Sequence, residues 1–213
     1  MIRVLIVDDH PIVRKGLRSE LSEQPDVHVV DEAADGDEAL VKARASKPDI
    51  VLLDISLPGK SGLEVLKQLN DELPHVKVLM LSTYPEKQYA IRCLKGGAWG
   101  YLTKESASEE LVAAIRKVAE GKKYVSGQLG EILASDVGAK KDLLPHEKLT
   151  AREFEILRLI GQGKTLTEIA DFLSLSLSTI STHRSHILAK MRCHSTAQLI
   201  RYAVDVGLID PAK

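Results

Sequence analysis

Cysteine is almost absent from the sequence. Cys93 and Cys193 are the only two, and they stand far apart. That excludes a disulfide framework or a zinc cluster and makes a reducing compartment, the cytoplasm, the expected setting. Aromatic residues are scarce at 4%, which argues against a single-strand nucleic-acid binder working by base stacking. No stretch approaches the roughly 18 uncharged apolar residues of a membrane helix. The opening MIRVLIVDDH has no basic start and no small-residue cleavage site, so it does not read as a secretory signal. Neither a P-loop glycine pattern nor GxGxxG occurs, so nothing here cradles a whole nucleotide. What is present is an ordinary soluble mixture, 44% hydrophobic and 28% charged over 213 residues. That length allows one large domain or two small ones.

The near-neutral net charge of −1 conceals an asymmetry. Residues 148–213 hold nine Lys/Arg against six Asp/Glu, and residues 1–147 hold twenty against twenty-four. Within 180–204 stand Arg184, Lys190, Arg192 and Arg201 with no acid among them. A local cationic stretch suggests contact with a polyanion, although a merely solvated basic helix face has the same signature.

Along the first part, short β-branched runs at 3–7, 27–33, 49–53, 77–81 and 98–103 alternate with helical spacing at 12–21, 36–45, 62–73, 86–95 and 108–120. Apolar runs separated by helices predict a parallel sheet covered on both faces. Five such units predict a doubly wound sheet in the order 2-1-3-4-5, with its site at the C-terminal strand ends. Chemistry-bearing residues gather at those ends: Asp8 and Asp9 after strand one, Asp54 after strand three, Ser82 after strand four and Lys104 after strand five. Acids in such places often serve only as turn and cap residues. Their joint placement at one sheet edge instead predicts a pocket. Three carboxylates brought together need a cation. An all-oxygen set points to Mg²⁺, which takes one or two carboxylates and a phosphate. Lys104 supplies a point charge for a phosphoryl oxygen.

Residues 1–121 resemble the receiver domain of two-component response regulators. The likeness rests on Asp8-Asp9, LLDISLPGKSGLE at 52–64, Ser82 and GYLTK at 100–104. The resemblance implies that a sensor histidine kinase passes a phosphoryl group to Asp54. It implies Mg²⁺ held by Asp9, Asp54 and the Ser56 carbonyl, with Asp8 assisting through water. It makes Lys104 the phosphate partner, Ser82 the switch hydroxyl and Tyr101 the aromatic that turns inward. Pro58 and Gly62 match the loop beyond the phosphoacceptor.

Residues 122–148 mix glycines, lysine pairs and Pro145 around one weak helix at 127–135, and are expected to be a linker. From residue 149 the sequence predicts a small all-α domain of four helices. The first runs to about 160 behind a Thr150/Glu153 capping box and is stopped by Gly161 and Gly163. The others span 165–173, 178–191 and 195–206. Two short helices around a tight turn, the second basic and rich in hydroxyls, suggest a helix-turn-helix, against an ordinary helical hairpin. Residues 149–191 are similar to the DNA-binding domain of the LuxR/NarL/FixJ family. This implies that 178–191 is the recognition helix, with Ser178, Thr179, Ser181, Thr182, His183, Arg184, Ser185 and Lys190 toward DNA. Thr165 and Thr167 then fall near phosphates. Many relatives carry lysine where this chain has Ser181 and Ser185. The fourth helix matches the family's dimerisation helix.

Together the two resemblances imply a receiver over 1–121, a linker over 122–148 and a LuxR-type helix-turn-helix over 149–213. They imply a phosphorylation-controlled transcription factor, not an enzyme, that dimerises on phosphorylation and binds double-stranded promoter DNA, with RNA polymerase as a further partner. A Mg²⁺-dependent aspartyl-phosphate phosphatase is the alternative. It is disfavoured because Asp8 and Asp9 are adjacent rather than in a DxD, and there is no cap domain.

Overall fold

A computed structural model of the chain describes residues 1–83, 86–127, 129–131 and 144–209, with backbone alone at 86–88, 108 and 109. The chain divides into two compact units, Met1–Ala139 and Lys140–Lys213. Among the described residues no helix is long and apolar enough to cross a membrane.

The first unit is the expected alternation. Strands β1 (Ile2–Val7), β2 (Val27–Ala33), β3 (Ile50–Asp54), β4 (Lys77–Ser82) and β5 (Gly100–Thr103) alternate with helices α1 (Pro11–Ser22), α2 (Gly36–Ser46), α3 (Gly62–Glu72), α4 (Glu86–Lys95) and α5 (Ala107–Ala119). The sheet is parallel throughout, in the order β2-β1-β3-β4-β5. Its central strands are mostly apolar because both faces are covered. Val4, Ile6, Ile50 and Leu52 pack with Leu17 and Leu21 of α1 and with Leu111, Ala114, Ile115 and Val118 of α5. The alternate residues Leu5, Val7, Val51 and Leu53 are fully buried on the other face.

Most boundaries shift by a residue or two from the sequence pattern, and three differences bear on the site or the sheet edge. β5 starts at Gly100, not 98, because the residues before it close α4. Gly97 sits at φ +96°, and the amide of Ala98 donates to the Cys93 carbonyl at 3.0 Å. β3 runs one residue further and includes Asp54. Tyr124, inside the expected linker, continues the edge of the sheet. It bridges to Gly100, its amide donates to the Trp99 carbonyl at 2.8 Å, and its hydroxyl donates to Glu110 at 2.6 Å. The helix expected at 127–135 is helical at 127 and 129–131, while 128 and 132–135 lie outside the described residues.

The second unit opens with a 3-10 turn, Pro145–Lys148, whose His146 Nδ1 lies 2.7 Å from the Tyr202 hydroxyl. Four helices follow: α6 (Ala151–Gly161), α7 (Leu166–Phe172), α8 (Leu177–Met191) and α9 (Thr196–Asp205). Each is started by a hydroxyl side chain, from Thr150, Thr165, Ser176 and Ser195 in turn. Gly161 does not stop α6 as the sequence suggested; it is the last residue of that helix. A Cβ there would come within 2.9 Å of the Ile209 side-chain tip and 3.2 Å of the Ala203 Cβ, so glycine allows close packing with little rearrangement. The chain turns instead at Gly163, φ +83°.

Candidate functional site

The pocket lies where the strand order reverses, between β1 and β3, at their C-terminal ends. Asp54 is the last residue of β3 and Asp8 follows β1; both are almost completely buried. Lys104 follows β5 and reaches back between them. Its Nζ is 2.6 Å from Asp54 Oδ2 and 2.7 Å from Asp8 Oδ2. The amide of Ser56 donates to Asp54 Oδ1 at 3.2 Å. The backbone also ties the strand ends together. Lys104 donates its amide to the Ser82 carbonyl at 2.7 Å, and Ile55 donates to Leu81 at 3.2 Å. The loop beyond Asp54 returns through Gly62, whose amide donates to the Ile55 carbonyl at 2.9 Å. A Cβ at Gly62 would stand 2.0 Å from the Asp54 carbonyl oxygen, so only glycine lets the start of α3 pass so close to the acid.

Electrostatics follow from this burial. Desolvation raises the Asp54 carboxyl to about 6; Lys104 opposes the rise and Asp8 adds to it. Burial works against the charge of Lys104, but the Asp54 and Asp8 carboxylates outweigh it and hold its pKa above the usual value. The pocket thus holds an excess of negative charge that one lysine only partly offsets. Ligand atoms of Asp8, Asp9, His10 and Asp54 all lie within 4.8 Å of one another. A small hard cation fits such a donor set of mostly carboxylate oxygens.

Most of the residues singled out from the sequence converge here: Asp8, Asp9, Asp54 and Lys104 directly, and Ser56 and Ser82 through their backbone bonds. Tyr101 is fully buried in β5. Two neighbours escaped the sequence reading. His10 Nδ1 lies 2.7 Å from Asp9 Oδ1 and 3.1 Å from Asp8 Oδ1, and its amide donates to Asp8 Oδ1 at 2.8 Å. Arg14, one turn into α1, donates to the Asp8 carbonyl at 2.6 Å. The only sequence signal for either was closeness to the acid pair.

In the second unit α8 buries Ile180, Ile187 and Met191 and exposes Ser178, Ser181, Thr182 and Ser185. Thr179 is half-buried, and its amide donates to the N-cap Ser176 at 3.1 Å. Thr165 and Thr167 are exposed, and the Thr165 hydroxyl serves the capping box with Glu168. The three other residues expected toward DNA lie on the same helix. His183 and Arg184 are half-buried, and Arg184 Nε donates to Thr196 Oγ1 at 2.9 Å. Lys190 is exposed, with its Nζ 2.6 Å from Oε2 of the buried Glu153. Burial favours the neutral form of Glu153, but Lys190 and the Thr150 amide and hydroxyl outweigh burial and hold its carboxyl below the ordinary range.

Comparison with known proteins agrees with both units. Residues 4–116 match the response regulator receiver domain, and residues 147–203 match the bacterial regulatory proteins of the luxR family. The chain is 39% identical over 204 residues to the transcriptional regulatory protein LiaR of Bacillus subtilis (strain 168), covering 95% of this chain and 97% of the relative. It is 36% identical over 219 residues to the oxygen regulatory protein NreC of Staphylococcus epidermidis (strain ATCC 12228 / FDA PCI 1200), covering 98% and 100%. Among solved structures, RcsB from Salmonella enterica serovar Typhimurium, bound to promoter rprA in the presence of the phosphomimetic BeF3-, superposes with a TM-score of 0.65 at 26% identity. That match covers 95% of this chain and 98% of the other. The chain belongs to the two-component response regulators with a LuxR-type DNA-binding domain. It is a phosphorylation-controlled transcription regulator, and its relatives are regulators rather than enzymes.

Proposed function

We propose that Asp54 accepts a phosphoryl group from the phosphohistidine of a sensor kinase, with the phosphorus–nitrogen bond breaking as a bond to an Asp54 carboxyl oxygen forms. The observation that carries this is the position of Lys104, whose ammonium stands 2.6 Å from Asp54 and 2.7 Å from Asp8. A cation already beside the acceptor offsets negative charge arriving on the phosphoryl oxygens. Asp8, Asp9, Asp54 and the Ser56 carbonyl would hold Mg²⁺, which neutralises phosphoryl charge when bound. Lys104 exchanges its carboxylate partner for phosphoryl oxygens. The Ser82 hydroxyl donates to the same group, drawing in the loop after β4. Because Ser82 and Lys104 are joined through their backbones, the ends of β4 and β5 move together. Tyr101, buried in β5, locks that arrangement.

The receiver spans 1–121, 122–148 serves as a linker, and 149–213 binds double-stranded promoter DNA, all in the cytoplasm. Phosphorylation favours a homodimer whose two α8 helices meet half-sites about one DNA turn apart. Ser178, Thr179, Ser181, Thr182 and Ser185 face the groove, Thr165 and Thr167 lie toward phosphates, and RNA polymerase is a further partner. The test is incubation with acetyl phosphate and Mg²⁺. About one slowly lost phosphoryl group per chain is expected, none on Asp54→Asn, and tighter promoter binding by the labelled protein. Full labelling of Asp54→Asn would sink the assignment, and rapid turnover would indicate an enzyme instead.

A further inference from the structure

DNA-binding helices of this kind usually combine phosphate-seeking cations with base contacts, and here the two are separated. The residues of α8 opposite its buried stripe are Ser178, Ser181, Thr182, Ser185, His186 and Ala189, all exposed. None is Lys, Arg, Asp or Glu. Between 177 and 189 the only such residue is Arg184, which is half-buried and donates to Thr196. Lys190, next along, is paired with the buried Glu153.

Two of the four hydroxyls on this face, those of Thr182 and Ser185, are polarised in one direction. Thr182 Oγ1 lies 3.0 Å from the Ser178 carbonyl oxygen, and Ser185 Oγ lies 3.0 Å from that of Ser181. A carbonyl only accepts, so both hydroxyl protons are directed into the helix itself. What these two side chains present outward is lone pairs. Guanine offers N7 and O6 in the major groove, which are acceptors and cannot pair with lone pairs. Adenine N6 and cytosine N4 are donors and can. The methyl groups of Thr182 and Ala189, on the same face, match the thymine methyl.

Resting on the DNA-binding reading above, we propose that Thr182 and Ser185 are specificity-determining residues. They act as hydrogen-bond acceptors for the exocyclic amino groups of adenine or cytosine, while Lys190 is a positioning residue that fastens α8 to α6 and touches no phosphate. The first half of the statement fixes the class of base read. The second fixes where the salt dependence of binding does not originate.

The experiment uses the phosphorylated full-length protein. A site is first selected from randomised duplexes. Single positions are then replaced by analogues lacking one group: purine for adenine, 2-pyrimidinone for cytosine, 7-deazaguanine for guanine. Loss of an amino group at the positions facing Thr182 and Ser185 should weaken binding about fivefold, the worth of one hydrogen bond, and 7-deazaguanine at those positions should leave it unchanged. Thr182→Val or Ser185→Ala should abolish the penalty at its own position, since the partner is already gone. In a salt titration, Lys190→Met should lower affinity at unchanged slope, whereas Ser185→Lys should steepen the slope by about one. A larger penalty from 7-deazaguanine than from amino removal would overturn the readout. So would amino penalties that persist in both hydroxyl variants. A slope reduced by about one in Lys190→Met would overturn the positioning role. If selection enriches no sequence at all, the DNA-binding reading itself falls, and the inference with it.

Discussion

Asparagine in place of Asp54 should stabilise the receiver in the absence of divalent cations, although it removes the residue on which signalling depends. The carboxyl is held at about 6 rather than its ordinary 3.8. Ionising it therefore costs the folded state up to about 3 kcal/mol at pH 7, at 1.36 kcal/mol for each pH unit of displacement. Asparagine has almost the same shape and still accepts the Ser56 amide, but carries no charge to desolvate. Lys104 loses one of its two carboxylates in the exchange and keeps Asp8, so a net gain of about 1–3 kcal/mol is expected. In a unit of this size that is roughly 3–10 °C in Tm. The sign of the pH dependence follows from a raised carboxyl. The penalty is complete above the folded-state value of about 6 and fades as the pH falls toward 3.8, so the advantage of the variant should be largest at pH 7–8 and shrink toward pH 4. Trp99, the only tryptophan, lies in the first unit, so its fluorescence follows that unit in urea or thermal unfolding with chelator present. Millimolar Mg²⁺ should raise the stability of the parent chain more than that of the variant, because only the parent keeps the full ligand set. A variant no more stable than the parent at pH 7.5 in chelator would refute the reasoning. So would a difference that does not narrow on acidification.

Gly62→Ala should cost several kcal/mol of receiver stability and most of the phosphorylation rate, because a Cβ 2.0 Å from the Asp54 carbonyl forces the acceptor strand or α3 to move; urea titration and label uptake check this, and unchanged uptake would contradict it. Asp9→Ala should abolish Mg²⁺ binding measured by calorimetry, since one of few charged ligands goes; an unchanged titration would remove Asp9 from the ligand set. Thr150→Ala should cost about 1 kcal/mol in the stability of residues 144–213, the worth of a helix N-cap, and a denaturation midpoint equal to the parent's would show that Glu153 holds the helix start without it. A fragment of residues 148–213 should bind DNA without phosphodonor but more weakly than the phosphorylated dimer, which gains effective concentration by pairing; band shifts at equal salt decide it, and equal affinity would contradict coupling through dimerisation.

The sequence by itself determined the order of elements in the receiver. Short, mostly apolar runs fit strands covered by other elements, and helical spacing between them makes a parallel sheet the arrangement that hides them. The same pattern put Asp8, Asp9, Asp54, Ser82 and Lys104 on one edge, since all C-terminal ends of a parallel sheet lie together. The capping box at Thr150 and Glu153 was equally legible, because a cap is a local device spanning four residues. Tertiary structure alone decided the contacts that join residues distant in sequence. Lys104 lies fifty residues beyond Asp54, and only the fold determines that its ammonium bridges Asp54 and Asp8. The close approach of Ile209 and Ala203 to Gly161, at the end of α6, is something no helix-stop rule can anticipate. Lys190 is exposed as its spacing suggests, but only the fold sets its ammonium beside a buried carboxylate thirty-seven residues earlier. Charge is read from composition, but where a long flexible side chain delivers that charge depends on which partner packing has already removed from water.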